Sequence, residues 1–418
     1  MKSVNFYMAV ALTSVFMCSC GSKTTKVFNT PETILLPENI IEENHLTQED
    51  QVTLIPVKSE VLLKDIGETV CYGDYMFMFS SDRATLYELY KDSVIGVLDR
   101  QGRGPGEYIN LSSITYSEED SLLYVCSVGS ESFLQIYRGR NFVHVGKVEF
   151  PINDDTQRIS SFCLVDSKHI MVSQPDIHVF QLVEDNNKFD IDTVDYGGMY
   201  IFDLQTKEYV DTLLRYDIYD AIGQLANASN CGYCRHDGGV AFSIQHFNHV
   251  TIYNYADGKV TQGPSFRYDD MFACPDKYII TDLSENDGEQ YSNFMIWSYP
   301  YPLNDQRKSF GAKTLRVDGD KISFWNIVIG SSQEGWTEYN YNVYDGKDVA
   351  RYNYKIDNMS WRVLPQFVYK GRYGELWQGT PNMQNSEEEY TPLQKKIIEA
   401  YELQMEDDNP VIFLYNSL

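Results

Sequence analysis

The chain is short of positive charge, and this shortage excludes several kinds of partner. Its 34 lysine and arginine residues face 60 aspartate and glutamate residues, which gives a formal net charge of −26. Such an acidic surface repels the phosphates of nucleic acids and the headgroups of anionic lipids. We therefore expect no nucleic-acid partner, and we interpret the charge as a means of staying soluble.

Long apolar runs are missing beyond residue 20. Residues 6–17 are largely apolar, follow Lys2, and are too short to span a bilayer as a mature helix. They lead into Phe16-Met17-Cys18-Ser19-Cys20, which resembles the processing site of bacterial lipoproteins. Because Ser19 is the small residue that such a site prefers before its cysteine, we assign lipidation to Cys20. An ordinary cleaved signal peptide with incidental cysteines is the alternative.

This start predicts three segments. Residues 1–19 form a lipoprotein signal peptide, residues 20–47 hold the lipidated cysteine and a polar tether, and residues 48–418 form the folded domain. Each buried methylene contributes about 0.8 kcal/mol, so two or three acyl chains hold a soluble domain on a membrane. Lys23 and Lys26 stand where surface-directed lipoproteins of Bacteroidota tend to carry acidic residues. We therefore expect an outer-membrane lipoprotein of the cell envelope that faces the periplasm.

Helical periodicity is almost absent from most of the folded domain, which excludes alternating strand–helix–strand folds. Short apolar or alternating runs are separated instead by turns such as Asp257-Gly258, Asp318-Gly319 and Asp345-Gly346. The 32 tyrosines and 21 phenylalanines suit half-buried strands. Because a long open meander would expose its edges, the favoured architecture is a ring of blades. We predict an all-β fold, a β-propeller.

The C-terminal region contains one segment with a helical instead of a strand-like pattern. Residues 392–405 place apolar side chains at helical spacing, and Thr391 and Pro392 suit the cap and first position of a helix. A purely apolar run, Val411–Tyr415, follows and predicts a strand. Since propellers commonly pair strands from both chain ends in one blade, we predict that this strand closes the ring with one near residues 52–57.

Glycine and proline are concentrated in one turn. Gly102-Arg103-Gly104-Pro105-Gly106-Glu107-Tyr108, here called the signature turn, directly follows a strand-like run. It resembles the inter-strand turn of the TolB-like or NHL-like six-bladed β-propeller lipoproteins of Bacteroidota. Asp407-Asp408-Asn409-Pro410, before the last strand, is similar to the ending of these proteins. The resemblance implies a six-bladed β-propeller with four strands in each blade, and a cellular location, but no reaction.

Two interpretations of the signature turn stay open. In the structural one, Gly104-Pro105-Gly106 makes the turn, Glu107 bonds backbone amides and Tyr108 packs between blades. In the functional one, Arg103 and Glu107 form a polar pair at one end of the ring. We favour the structural interpretation.

Motifs for catalysis and metal binding are scarce. No serine or cysteine stands in a strained elbow motif. Cys231-Gly232-Tyr233-Cys234 lacks the helix start that activates thioredoxin-like thiols. His236 could join Cys231 and Cys234 around zinc, but a second metal-spaced pair is missing. We interpret the two cysteines as a loop disulfide or unpaired thiols, with metal and redox sites as minor alternatives, and expect no cofactor.

The five tryptophans all lie in the second half of the chain, and one aromatic stretch there could bind a ligand. Trp336, Tyr339 and Tyr341 would stack on a sugar ring if residues 331–341 formed an exposed loop, although packing between blades is the favoured interpretation. We expect a monomeric binding or scaffold module that is anchored to the membrane by its lipid and that recognises a glycan or an envelope protein. The less favoured alternative is a carbohydrate-active lyase or hydrolase with its site on the axial face of the propeller.

Overall fold

The computed structural model shows an all-β fold of six blades arranged in a ring, a six-bladed β-propeller. The residues that it describes are 28, 31–36, 42–46, 48–128, 132–151, 159, 161–174, 198–215, 232–245, 249–268, 306–308, 313–330, 337–356, 362–363, 366–378, 390–402 and 409–415. Cys20 and residues 1–19, the predicted signal peptide, lie outside these residues.

The described chain begins with three strands that join three different blades, followed by blades 1 to 3. The first three strands are β1 (Thr33–Leu36), β2 (Glu42–Leu46) and β3 (Val52–Pro56). Blade 1 consists of β4 (Ile66–Tyr72), β5 (Tyr75–Ser80), β6 (Leu86–Tyr90) and β7 (Ser93–Leu98). Blade 2 consists of β8 (Leu111–Ser117), β9 (Leu122–Val128), β10 (Ser132–Arg138) and β11 (Val143–Glu149). Blade 3 consists of β12 (Ser161–Leu164), β13 (His169–Gln174), β14 (Gly198–Asp203) and β15 (Glu208–Arg215).

The second half of the ring is built in the same antiparallel way. Blade 4 contains β16 (Tyr233–His236), β17 (Gly239–Gln245), β18 (His249–Ala256) and β19 (Lys259–Tyr268). Blade 5 contains β20 (Gln306–Lys308), β21 (Lys313–Asp318), β22 (Lys321–Gly330), β23 (Thr337–Tyr344), β24 (Val349–Ile356) and β25 (Arg362–Val363). Blade 6 contains β26 (Phe367–Tyr369), β27 (Arg372–Trp377) and β28 (Val411–Tyr415), together with β3.

The apolar core is divided among the interfaces between blades. Six clusters of buried side chains each join two neighbouring blades, from the interface of blades 1 and 2 to that of blades 6 and 1. In the last of these clusters, Met76 and Leu89 of blade 1 pack with Phe367 and Ile412 of blade 6. The ring is therefore closed by packing as well as by strand pairing.

The two ends of the chain meet in blade 6, as predicted. β28 pairs antiparallel with β3, with Val411 opposite Pro56 and Tyr415 opposite Val52. All five residues of β28 are buried, which explains why this strand is apolar throughout. The prediction of ring closure by the terminal strands is confirmed.

The tether predicted over residues 20–47 is wrong from Phe28 onward. β1 pairs parallel with β19 of blade 4, and β2 pairs parallel with β24 of blade 5. Phe28, Leu36 and Leu46 are buried in cores between blades, so this segment gains apolar burial as well as backbone hydrogen bonds. We call β1, β2 and β3 the N-terminal strap, since they add a strand to each of three successive blades.

The predicted C-terminal helix is present as α1 (Pro392–Glu402), and the rest of the predicted span lies outside the described residues. Its start has a capping box: the Gln394 amide donates to Thr391 Oγ1 at 3.2 Å, and the Thr391 amide donates to Gln394 Oε1 at 2.8 Å. Leu393 and Ile397 bury one face of α1 in the cluster that also holds Leu46 of the strap. In the described part of the chain, no helix is long and apolar enough to cross a membrane.

Candidate functional site

A cavity of about 220 Å³ lies between blades 1 and 2, and we call it the inter-blade cavity. Blade 1 contributes side chains from β5 and β6, and blade 2 contributes β8, β9 and the turn between β10 and β11. The lining groups used below are Tyr75, Phe77, Glu88, Tyr116, Arg140 and Phe142. The site therefore combines one acidic and one basic side chain with aromatic walls.

Glu88 is the buried charged group of this cavity. It lies in the middle of β6, between apolar neighbours, and only 4% of its surface is exposed. Its carboxylate makes no hydrogen bond or ion pair with any residue that the structure describes. A largely buried carboxyl without a hydrogen-bond partner in the protein is costly, because burial penalises its charged form.

The environment of Glu88 alters its acidity. Burial raises the pKa of its carboxyl to about 7, and the positive charge of Arg140 partly opposes this rise. Glu88 is thus divided between its neutral and ionised forms near neutral pH. Arg140 is exposed at the turn between β10 and β11, and it forms no ion pair with Glu88 although both are described.

A glycine makes room for this arrangement. Gly96 of β7 lies opposite Glu88 in the sheet of blade 1. A Cβ at Gly96 would lie 2.7 Å from the carbonyl oxygen of Arg140, 2.9 Å from the ring of Phe142 and 3.2 Å from Glu88 Oε2. Only a residue without a side chain allows β7 and the turn of blade 2 to approach so closely.

Aromatic rings form another part of the cavity wall. The rings of Tyr75 and Tyr116 are 5.2 Å apart, and those of Phe77 and Tyr116 are 5.3 Å apart, all tilted against one another. Burial raises the pKa of Tyr116 to about 12, with further contributions from Tyr75 and Glu88, so the phenol stays protonated. These rings give the cavity negative π faces beside a carboxyl.

Sequence reasoning missed Glu88, although one signal was available. The run Leu86-Tyr87-Glu88-Leu89-Tyr90 places a single acid inside an otherwise apolar strand. Residue pattern alone shows that such an acid is unusual. Its burial, however, depends on the packing of blade 2 against blade 1.

The signature turn has the geometry of the structural interpretation. The Gly104 amide donates to Glu107 Oε2 at 2.6 Å. The buried Tyr108 hydroxyl lies 2.6 Å from the carbonyl oxygen of Ala84 and accepts from the Arg100 amide at 3.1 Å. Arg103 is exposed and makes no ion pair with Glu107, both of which are described.

The same turn also joins blade 1 to blade 2. Gln135 Nε2 donates to the Glu107 carbonyl at 2.6 Å, and the Tyr137 hydroxyl donates to the Gly106 carbonyl at 3.0 Å. Gly106 has φ of 73°, and a Cβ there would lie 2.8 Å from the ring of His144. The turn therefore holds together the two blades that enclose the inter-blade cavity.

The cysteine pair does not present a metal site in the described part of the chain. Cys231 lies outside the described residues. The Val317 amide donates to Cys234 Sγ at 3.3 Å, and burial raises the pKa of this thiol, which disfavours the reactive thiolate. His236 accepts from the Gly238 amide at 3.0 Å through Nδ1 and donates to Asn254 Oδ1 at 2.9 Å through Nε2. No group of three metal-binding side chains occurs among the described residues.

The aromatic stretch predicted as an exposed loop is a strand from residue 337 onward. Trp336 lies outside the described residues, and Tyr339 lies within β23. Tyr341 is only 2% exposed, and its ring packs 4.7 Å from that of Tyr373 across the interface of blades 5 and 6. Tyr341 therefore packs between blades and is not available as a ligand-binding residue, because its side chain belongs to the core.

Comparisons with known proteins concern the fold alone. No family model matches the chain, and no curated protein matches it. A "putative exported protein" from Bacteroides fragilis has a similar structure, with 12% identity and a TM-score of 0.49 over 89% of this chain and 97% of that one. A member of the DUF4221 family from Bacteroides vulgatus is similar with 8% identity and a TM-score of 0.47, over 88% of this chain and 96% of that one.

Proposed function

We propose that this chain is a lipid-anchored propeller of the cell envelope that acts as a binding module, with its ligand in the inter-blade cavity. The observation that carries the proposal is Glu88, a buried carboxyl that lines the cavity and has no hydrogen-bond partner among the described residues. A ligand that donates a hydrogen bond or a positive charge would recover the free energy lost by burying it. Rigid blades with variable loops suit such a role.

The short length of chain between Cys20 and the buried start of the described residues supports a short lipid anchor. If Cys20 is lipidated, only residues 21–27 separate the lipid from the buried Phe28. A fully extended chain spans about 3.5 Å per residue, so this distance is at most roughly 25–30 Å. The anchor would thus hold the outer edge of blade 4, where β1 pairs, close to the membrane surface.

A binding role is favoured over the carbohydrate-active alternative by the content of the cavity. Glycosidases generally act with two carboxyl groups, one on each side of the scissile bond. Among its described lining residues, the inter-blade cavity has Glu88 as its single carboxyl. We therefore assign Glu88 to recognition of a ligand and not to acid catalysis.

The anchor is tested by metabolic labelling with an alkyne fatty acid, followed by membrane fractionation. We expect labelled wild-type protein in the membrane fraction, loss of label in Cys20→Ala, and retained label in Cys18→Ala as the matched control. Fatty-acid label that persists in Cys20→Ala would overturn the assignment of lipidation to Cys20. The absence of this label from the wild-type protein would overturn it as well.

The binding role is tested by tryptophan-fluorescence melting of the full-length protein in mild detergent, against panels of glycans, amines and carboxylates. We expect one class to raise Tm by several degrees in the wild type and not in Glu88→Gln. Exposed Glu118, in the turn between β8 and β9, provides the control variant Glu118→Gln. A panel without any Glu88-dependent shift would contradict the proposal.

A further inference from the structure

We propose that the inter-blade cavity takes a small zwitterion, whose protonated amine is held by Glu88 and whose carboxylate is held by Arg140. This inference rests on the proposed binding function and names the chemical class of its ligand. It is carried by the placement of the two charges, the aromatic walls and the size of the cavity.

The acidic side of the cavity favours an organic amine. Glu88 lines it from a buried position and has no partner among the described residues, so it can accept hydrogen bonds from an ammonium group. Tyr75, Phe77 and Tyr116 surround the same space with aromatic rings. Aromatic faces beside a carboxylate attract organic cations, whereas a divalent metal ion requires several oxygen ligands.

The basic side of the cavity favours a ligand with a carboxylate. The positive charge of Arg140 lowers the pKa of Glu88, yet the two side chains form no ion pair. The guanidinium is exposed, and among the described residues it makes no hydrogen bond. A guanidinium holds a carboxylate through two parallel hydrogen bonds, and a zwitterion could bridge the gap between the two protein charges.

The size of the cavity limits the ligand. Its volume of about 220 Å³ is smaller than the roughly 300–1,000 Å³ of pockets that hold drug-sized molecules. A molecule of the size of an amino acid is thus favoured over an oligosaccharide or a peptide. Gly139 and the ring of Phe142 line the cavity on the side of the turn in blade 2.

The experiment is isothermal titration of the full-length protein in mild detergent with four probes: alanine, 4-aminobutyrate, butylamine and butyrate. We expect at least one of the two amino acids to bind most tightly, butylamine to bind at least tenfold more weakly, and butyrate not to bind. Glu88→Gln should weaken amino-acid binding at least tenfold. Arg140→Gln should remove the preference for the amino acids over butylamine.

Control variants and further outcomes distinguish a failure of the zwitterion proposal from a failure of the binding proposal. Arg138→Gln removes an exposed arginine from the end of β10, which does not line the cavity, and should bind like the wild type. Unchanged melting temperatures would show that the variants are folded.

Glu88-dependent binding of a neutral glycan, with no binding of the amino acids, would overturn the zwitterion and leave the binding role intact. Glu88-independent binding of amino acids would also overturn it, and no Glu88-dependent binding by any glycan, amine or carboxylate would overturn both proposals.

Discussion

The ammonium group of Lys396 donates a hydrogen bond to the carbonyl oxygen of Val52 at 2.9 Å. The same nitrogen donates to the carbonyl oxygen of Glu49 at 2.8 Å. Lys396 lies on α1 near the C-terminus, whereas Val52 begins the strand that closes the ring from the N-terminal side. The helix therefore holds the N-terminal strap on blade 6 by direct bonds as well as by apolar packing.

Replacement of Lys396 by methionine should weaken this attachment. Met keeps much of the apolar length of the side chain but removes the charged donor, which typically contributes about 1–2 kcal/mol to stability. We expect the free energy of unfolding in urea to fall by that amount. Lys395→Met, an exposed neighbour on the same helix, should change it by less than about 0.5 kcal/mol. Equal effects of both variants would contradict the role of Lys396.

Replacement of Gly96 by alanine should close part of the inter-blade cavity and destabilise the protein. The added methyl would clash with backbone of Arg140 and with the Phe142 ring, and overpacking of this kind costs about 1–3 kcal/mol. Thermal unfolding measures the loss. Gly146→Ala on β11 is the control, since its Cβ would have its nearest neighbour at 4.0 Å, an ordinary contact. A Gly96→Ala protein as stable as the wild type would show that β7 does not pack so closely against the turn of blade 2.

Glu88 should make stability depend on pH. Burial raises its pKa from an ordinary value of 4.5 to about 7, so the folded state binds the proton more tightly than the unfolded state. The contribution of Glu88 is then fully present below about pH 4.5 and is lost as pH rises through about 7. The loss is up to about 3 kcal/mol for a shift of this size, with Arg140 and Tyr116 as the neighbouring titratable groups.

Urea unfolding of ligand-free protein between pH 4.5 and 8 measures this loss. Relative to the wild type, Glu88→Gln should gain stability as pH rises, whereas Glu118→Gln should follow the wild type. A constant difference between Glu88→Gln and the wild type across this range would show that Glu88 titrates normally.

The signature turn should act through structure, and Tyr108 is the residue that tests this. Tyr108→Phe removes a buried hydroxyl that contacts the Ala84 carbonyl and the Arg100 amide. Leaving these groups unpaired should cost about 1–3 kcal/mol in the free energy of unfolding. Arg103→Ala, at an exposed position of the same turn, should leave stability unchanged. If Arg103→Ala abolished ligand binding instead, the functional interpretation of the turn would be restored.

Local sequence patterns predicted the elements of the fold whose signal lies within a few consecutive residues. The apolar run of β28, the helical spacing of α1 and the glycine-rich signature turn each have a signal within a few residues. The pairing of β1 with β19 and of β2 with β24 joins residues more than 200 positions apart, and no local pattern marks it. Glu88 was missed for a similar reason, because its burial depends on Gly96 and on the turn of blade 2.

The N-terminal strap should contribute to the stability of the folded domain, and Phe28 is its most informative residue. Its side chain is 0% exposed and packs against Gly263 of β19, where a Cβ would lie 2.8 Å from its ring. Phe28→Ala should therefore lower the free energy of unfolding by about 3 kcal/mol, as for other large-to-small changes in a core. Leu35→Ala, at a position of β1 that is 45% exposed, should cost much less and serves as the control. A freely moving tether would give no loss for either variant, so equal and negligible effects in urea unfolding would return residues 28–46 to the role of a linker.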